Sequence, residues 1–148
     1  MARIPIQSPD APAAIGPYSQ AILAGDTLYM SGQIPLDPKT MQLVEGIEAQ
    51  AHQVFRNLRA VAASARATLN DIAKLTILLI DLGDFAKVNE VMATYFEAPY
   101  PARATYQVAG LPRGARIEVE ATLILPASPV AADPQTGWLE TFDQTKGQ

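Results

Sequence analysis

A single arginine lies in the segment PYPARATYQVAGLP, residues 99–112, which contains no other charged side chain. The only ionisable groups of this segment are Arg103, Tyr100 and Tyr106. A guanidinium is a planar fork that binds two oxygens of a carboxylate or a phosphate at once. Arg103 is therefore a candidate for holding a small organic anion. The alternatives are that it is an exposed arginine of an edge strand, or that it pairs with Glu118 for structural reasons.

Two glutamates are separated by one residue in the segment RIEVEATLIL, residues 116–125. Because side chains alternate along a strand, Glu118 and Glu120 share one face and lie roughly 7 Å apart. Either carboxylate could act as a general base or position a water molecule. The alternative is a solvated strand face, and the pattern is too common to indicate a glycosidase.

Other classes of catalytic site have less support in the sequence. The chain has no cysteine and one histidine, His52, which is flanked by Gln50 and Gln53 and is expected to be a partly exposed helix residue. A transition-metal site would then depend on carboxylates, which suit harder ions, and a Ser-His-Asp triad would need His52. The segments SGQIP and GLPRGA lack the spacing of a phosphate-binding glycine loop. The sequence predicts no metal site and no cofactor.

Apolar periodicity predicts the strands that must position these residues. The segment RIPIQ, residues 3–7, alternates as a strand does, and residues 20–35 have the form of a hairpin that turns at Gly25 and Asp26. The segment AKLTILLIDL, residues 73–82, is apolar on both faces and indicates a strand central to a sheet.

Two helices are predicted between these strands. The first begins near Ile47, because apolar residues recur there at steps of three and four: Ile47, Ala51, Val54, Leu58, Val61 and Ala65. The second begins near Asp84, a plausible N-cap, and is ended by Pro99 and Pro101. Its predicted apolar face contains Phe85, Val88, Met92 and Tyr95 or Phe96. The aromatic residues of both helices are expected in the core.

Two further strands, residues 103–108 and 116–125, are predicted to close the domain. The intervening residues 109–115 could join them as an antiparallel pair, and in that case Arg103 and Thr105 would lie beside the glutamates. The element order favours an α+β fold, a mixed sheet with two helices packed on one face. The other face also needs cover, because strand 74–80 has no polar side, and this indicates self-association.

Composition excludes several functional classes. The 148 residues carry a net charge of −4 and no cluster of Lys and Arg, so a dedicated nucleic-acid binder is not expected. The N-terminus lacks the apolar core of a signal peptide, and the longest apolar run is too short to cross a membrane. We expect a soluble cytoplasmic protein. Residues 1–126 are expected to form one domain, and residues 127–148 an extended tail in which Trp138, Leu139 and Phe142 are potential anchors.

Five motifs taken together resemble those of a known family. They are IGPYSQAI (15–22), LYMSGQIPLDP (28–38), DFAKVNEVMATYF (84–96), PARATYQVAGLP (101–112) and IEVEA (117–121). In order and spacing they resemble the Rid family, the reactive intermediate deaminases, also called the YjgF family. The resemblance extends to about Leu125.

The resemblance implies a chorismate-mutase-like α+β fold assembled as a homotrimer, with active sites in clefts between subunits. It also implies hydrolysis of 2-imino acids or their enamine tautomers, such as 2-iminobutanoate and 2-iminopropanoate, to 2-keto acids and ammonia. Such imines are released by pyridoxal-phosphate enzymes, which they can damage. The expected partners are these small molecules and further copies of the chain, and no cofactor is implied.

The resemblance also assigns roles to individual residues. Arg103 would hold the substrate carboxylate, Glu118 would orient or activate the attacking water, and Tyr18 would lie at the pocket mouth. The residues expected to contact substrate are Ser31, Gly32, Asn89 and Thr105. Thr105 departs from the family pattern, since many relatives have a cysteine there whose main chain contacts ligand. Two other functions stay open: an endoribonuclease or translation inhibitor, and a keto-acid-binding module without turnover.

Overall fold

Residues 1–126 are described by a computed structural model. They form one six-stranded sheet with the strand order β1-β2-β3-β6-β4-β5 and two α-helices. The strands are β1 (Arg3–Ile6), β2 (Ala21–Ala24), β3 (Thr27–Gln33), β4 (Ile72–Leu79), β5 (Ala102–Gln107) and β6 (Ile117–Ile124). The helices are α1 (Ile47–Ser64) and α2 (Phe85–Ala93).

The predicted hairpin is confirmed in β2 and β3. Ala24 pairs with Thr27, so Gly25 and Asp26 form a two-residue turn. Gly25 has φ of 65°, as the first central residue of a type II′ turn requires. Strand β1 adds to the outer edge of this hairpin, with Arg3 opposite Ala24.

Strand β4 is interior to the sheet, as its two-sided apolar sequence predicted. It pairs antiparallel with β6 on one side and parallel with β5 on the other. Its residues Leu75, Ile77 and Leu79 are buried beneath the helices, while Thr76 and Leu78 on the opposite face are only partly buried. A parallel pair needs a long crossover connection, and α2 supplies it between β4 and β5.

Both helices pack on one face of the sheet, which confirms the predicted α+β arrangement. In α1, the central residues of the predicted stripe, Ala51, Val54, Leu58 and Val61, are fully buried. The ring of Phe55 packs against Tyr95 and Phe96, with ring centroids 5.4 and 5.7 Å apart. These contacts join α1 to the segment that follows α2.

Helix α2 begins where the sequence predicted, with Asp84 at the N-cap position, and departs from the prediction at its other end. It ends at Ala93, well before the prolines. Asp84 precedes the helix, but its carboxylate makes no capping bond and instead accepts two hydrogen bonds from Arg116 Nη2, at 2.8 and 3.0 Å. Phe85, which was predicted to be in the core, is 37% exposed because it lies at the edge of the helix layer. The core prediction is wrong for this aromatic residue.

The prediction that residues 109–115 close an antiparallel pair is also wrong. Strand β4 lies between β5 and β6, because the α2 crossover places β5 on the outer side of β4. Arg103 is opposite Leu75, on the face that carries the helices, and Glu118 is opposite Leu78, on the other face. Their positions differ by three residues along β4 and by two strand spacings across the sheet. The backbones of Arg103 and Glu118 are therefore about 14 Å apart.

The face of the sheet opposite the helices is uncovered in the single chain. It carries Tyr29 on β3 and Tyr106 on β5, which are 54% and 58% exposed, and the partly buried Leu78 between them. We call these residues the open face. No helix within residues 1–126 is long and apolar enough to cross a membrane. The predicted tail, residues 127–148, lies outside the described residues.

Candidate functional site

A cleft of about 710 Å³ opens where β3 and β6 meet the loop that precedes β2. Four of the predicted site residues line it: Tyr18, Ser31, Gly32 and Glu118. Glu120 and the apolar side chains of Ile15, Ile34 and Leu36 complete much of its wall. We call it the Glu118 cleft. The structure therefore brings the Glu118 carboxylate together with the predicted strand-end and loop residues.

The loop that carries Tyr18 is held in place by Gln20, a buried polar residue. The Gln20 side chain accepts a hydrogen bond from Ser8 N at 2.6 Å and donates one to Pro12 O at 2.8 Å. Ser31 Oγ donates to Ser19 O at 2.6 Å, which joins the end of β3 to the same loop. The hydroxyl of Ser31 thus has a structural partner, and Tyr18 remains exposed at the mouth of the cleft.

Glu118 is half-buried in the cleft and belongs to none of the ion pairs found within residues 1–126. Burial raises the pKa of its carboxyl group above the usual value, and the negative charge of Glu120 raises it further. A carboxylate that is partly desolvated and lacks a cation partner binds a proton more readily than one in water. This is the property required of a general base that works near neutral pH.

Arg103 lies in a second depression of about 430 Å³, on the other face of the sheet. Its Nη1 donates to Asn89 Oδ1 and lies 3.7 Å from Met92 Sδ, and its guanidinium carbon is 5.1 Å from the centroid of the Phe85 ring. These three partners are residues of α2 spaced by four and three positions. We call this depression the Arg103 hollow.

The contacts of Arg103 leave one edge of its fork available. The hydrogen bond to Asn89 and the contact with Met92 both use Nη1. Nε and Nη2 have no hydrogen-bond partner within residues 1–126. Arg103 is exposed and lies on an edge strand, and its partner is Asn89 rather than Glu118. A guanidinium held by an amide and an aromatic ring, with a free edge, is arranged to receive a carboxylate.

Thr105 follows Arg103 on the same face of β5, opposite Ile77. Its Oγ1 is buried and has no hydrogen-bond partner within residues 1–126. A buried hydroxyl without a partner costs about 1–3 kcal/mol of desolvation. The side chain therefore weakens the fold at this position.

Thr105→Val is expected to raise the free energy of unfolding by about 1 kcal/mol, because valine keeps the shape and removes the unpaired hydroxyl. Urea denaturation at a fixed chain concentration measures the change. Thr94→Val is the matched control, since the Thr94 hydroxyl donates to Val91 O at 2.7 Å and its removal should not stabilise the protein. A loss of stability in Thr105→Val would contradict the expectation.

The seven predicted site residues thus fall into two groups. The Glu118 cleft contains Tyr18, Ser31, Gly32 and Glu118, whereas Arg103, Asn89 and Thr105 lie on β5 and α2 at the other face of the sheet. Within residues 1–126 no group of three His, Cys, Asp or Glu side chains is placed to hold a metal ion.

Comparison with known proteins assigns the chain to a family. A family model described as endoribonuclease L-PSP matches residues 8–125. The chain is a member of the endoribonuclease L-PSP family.

Relatives of this L-PSP-family chain include Rid proteins, which confirms the resemblance drawn from the motifs. The 2-iminobutanoate/2-iminopropanoate deaminase of Mus musculus is 49% identical over 120 residues, covering 80% of this chain and 89% of the mouse protein. RidA from the Antarctic bacterium Psychrobacter is 50% identical to this chain, and its crystal structure matches with a TM-score of 0.82. The match covers 83% of this chain and all of the Psychrobacter chain. Escherichia coli TdcF with bound serine is 37% identical with a TM-score of 0.81, covering 83% and 99% of the two chains.

Sequence reasoning missed three residues that shape the two regions of this L-PSP-family member. Gln20 holds the Tyr18 loop, Phe85 lies beneath the Arg103 guanidinium, and Arg113 lines the Glu118 cleft. The sequence contained a signal for two of them. Gln20 is a polar residue at the start of an apolar strand, and Phe85 lies four residues before Asn89. Arg113 follows from no local pattern, because its position depends on the loop between β5 and β6.

Proposed function

We propose that this protein hydrolyses 2-imino acids, such as 2-iminobutanoate and 2-iminopropanoate, to 2-keto acids and ammonia. The observation that carries the proposal is the presence of two complementary chemical groups. Arg103 has a guanidinium with a free edge, and Glu118 has a partly desolvated carboxylate in the cleft. The first suits a carboxylate and the second suits a water molecule. The name of the mouse relative adds support, because that protein is called a deaminase of these two imino acids.

In the proposed reaction the free edge of Arg103 binds the substrate carboxylate through two parallel hydrogen bonds. Glu118 accepts a proton from a water molecule while the water oxygen attacks the imine carbon. The attack forms a carbinolamine, whose nitrogen then takes the proton back from Glu118. The Glu118 carboxylate next accepts the proton of the new hydroxyl group as the C=O bond forms and the carbon–nitrogen bond breaks, and the keto acid and ammonia leave. Tyr18 covers the mouth of the cleft and limits solvent access.

Little catalytic power is required for this reaction, because an imine carbon beside a carboxylate already reacts with water. A thousandfold acceleration corresponds to about 4 kcal/mol of barrier. Positioning of the carboxylate and proton transfer by one glutamate can together supply that amount. The proposed mechanism uses only side chains of this sequence.

The two groups must come from different copies of the chain. The carboxylate and imine carbons of the substrate are bonded to each other. The guanidinium of Arg103 and the carboxylate of Glu118 must therefore lie within about 9 Å of each other for both to reach the substrate. Within one chain their backbones are about 14 Å apart on opposite faces of the sheet. We therefore infer a site formed where the Arg103 hollow of one copy meets the Glu118 cleft of its neighbour.

The open face gives the copies a surface through which to associate. Leu78 and Tyr106 lie there on the adjacent strands β4 and β5, and Tyr29 lies on β3, on the other side of β6. Exposed aromatic side chains on an uncovered face of a sheet are typical of a protein interface. We propose a homotrimer in which the three sheets face one another, and light scattering should then give about three times the 15.8 kDa chain mass.

The function is tested by generating 2-iminobutanoate in solution with threonine dehydratase and following the appearance of 2-oxobutanoate. The protein should accelerate keto acid release well above the rate of the same mixture without it. No acceleration would overturn the proposal. Tight binding of pyruvate in calorimetry, without acceleration, would instead support a keto-acid-binding module.

Mixing two inactive variants tests the two-copy site. Arg103→Ala and Glu118→Ala chains, each nearly inactive alone, should regain activity when unfolded and refolded together. With random association, about one site in four receives an intact arginine from one chain and an intact glutamate from the other. The recovered activity is therefore expected near a quarter of that of the wild-type protein.

The control for this experiment is each variant unfolded and refolded alone at the same total concentration. If the mixture remains as inactive as the separate variants while its mass matches the wild-type assembly, the two groups do not meet across an interface. Arg103 and Glu118 would then have to act in separate sites.

A further inference from the structure

Gly32, at the bulged end of β3, lies directly against the side chain of Glu118. A Cβ atom added at Gly32 would overlap Glu118 Oε1, and it would lie 2.9 Å from Cδ and 3.1 Å from Cγ. Real Cβ atoms essentially never come closer than 3.0 Å to another heavy atom. Any other residue at this position would therefore displace the Glu118 carboxylate.

The backbone at Gly32 does not require glycine. Its φ is not among the positive values found for Gly16, Gly25, Gly46 and Gly114, so an L-amino acid could adopt the same conformation. Glycine also weakens a strand relative to alanine, by about 0.5–1 kcal/mol. The residue is thus unfavourable for the strand itself, and the space taken by Glu118 is what accounts for it.

The pairing of β3 with β6 shows how the contact arises. The register shifts between Met30 and Gln33, which makes a β-bulge opposite the segment that carries Glu118. The bulge brings the Gly32 backbone close to the carboxylate, and Glu118 remains in the cleft without an ion pair within residues 1–126.

We propose that Gly32 is a positioning residue: because it has no Cβ, it leaves the space in which the Glu118 carboxylate lies against β3, in the cleft where water attacks the substrate. The catalytic consequence depends on the proposed imine hydrolysis, whereas the steric relation between the two residues does not. Gly32 would act through Glu118, in addition to any contact of its own backbone with substrate.

A stability cycle tests the steric relation without any assay of activity. In the wild-type background Gly32→Ala is expected to leave the melting temperature unchanged within about 1 °C, because displacing the flexible end of the Glu118 side chain offsets the strand preference of alanine. In the Glu118→Ala background the same change should raise the melting temperature by about 1–3 °C, since the obstacle is gone and alanine suits a strand better. A gain that appears only in the Glu118→Ala background identifies the Glu118 side chain as the cause.

The activity assay tests the catalytic role. Gly32→Ala should lower kcat for 2-iminobutanoate about 30-fold, because a displacement of about 1 Å at a reacting group has effects of that size. KM should change less than about threefold, since Arg103 remains in place to hold the carboxylate. Gly110→Ala is the matched control: no atom lies within 4 Å of its added Cβ and its φ is not positive, so neither parameter should change.

The outcomes separate this inference from the proposed function. A melting temperature that changes equally in both backgrounds would overturn the positioning role. A gain confined to the Glu118→Ala background, together with unchanged kcat in Gly32→Ala, would show that the position of Glu118 does not matter for turnover, which also contradicts that role. If the wild-type protein hydrolyses no imine, the proposed function fails, and the stability cycle still decides whether Gly32 positions Glu118.

Discussion

Arg103→Lys is expected to lower kcat/KM for 2-iminobutanoate by about 100-fold. Lysine keeps the positive charge but loses the fork that binds two carboxylate oxygens in fixed geometry. Hydrogen bonds to charged groups contribute about 1.5–3 kcal/mol, and a loss of 2.7 kcal/mol corresponds to a hundredfold change. Lysine also cannot reproduce the planar stacking on Phe85 and the hydrogen bond to Asn89 in their present geometry. Steady-state kinetics measure the effect.

The loss should appear partly in KM, because the carboxylate is bound in the ground state as well as in the transition state. Calorimetry with pyruvate should therefore show weaker binding by the same variant. Arg56→Lys is the matched control, since Arg56 is an exposed residue of α1 remote from both the cleft and the hollow. An Arg103→Lys enzyme with wild-type kcat/KM would remove Arg103 from the mechanism.

Glu118→Gln is expected to lower kcat by about 1000-fold, within the range of 10²–10⁴ that general acid–base catalysis contributes. Glutamine keeps the size and the hydrogen-bonding shape of the side chain but cannot accept the proton of the attacking water. Binding of pyruvate should change little, because the carboxylate contact belongs to Arg103. Glu97→Gln, an exposed substitution outside the cleft, is expected to have no effect.

The pH profile gives an independent check on Glu118. Burial, and then the charge of Glu120, raise the pKa of its carboxyl above 4.5. Below the raised pKa the group is protonated and cannot act as a base, so kcat/KM of the wild-type enzyme should increase as pH rises through that value. Glu120→Gln should move this acid limb to lower pH by part of the shift only, because burial is the larger cause. A limb that stays in place in Glu118→Gln would assign it to another group.

The raised pKa of Glu118 also changes how the stability of the fold depends on pH. Because the folded-state pKa of Glu118 lies above its unfolded value, the folded protein binds more protons between the two pKa values. The contribution of Glu118 to stability therefore falls as pH rises through this window. Glu118→Gln should remove this contribution, so the variant should gain stability relative to the wild-type protein above the raised pKa.

Local patterns predicted the elements of this fold well. The stripe from Ala51 to Val61 specifies the buried face of α1, because the helical period alone decides which residues face the sheet. The two-sided apolar β4 could only be an interior strand. The α+β class follows from the order of these elements, and the motifs identified the family.

Strand order could not be predicted in the same way. The segment between Arg103 and Glu118 is short enough for a hairpin, and period two gives both strands a polar face, so local reasoning favoured pairing them. The α2 crossover decides otherwise, because a parallel β4–β5 pair places β5 outside β4. The error concerns which strands are neighbours, a long-range property that no short segment encodes. Phe85 was misplaced for a related reason, since helical periodicity cannot show where the layer ends.

Because Arg103 and Glu118 face opposite sides of one sheet, the proposed two-copy site would make catalytic competence depend on protein concentration. A dissociated chain would keep its fold and both side chains, yet it would possess no complete site. Specific activity would then fall on dilution below the dissociation constant of the assembly and return on concentration, by mass action. Compounds that compete for the surface carrying Tyr29 and Tyr106 would inhibit the enzyme without resembling its substrate.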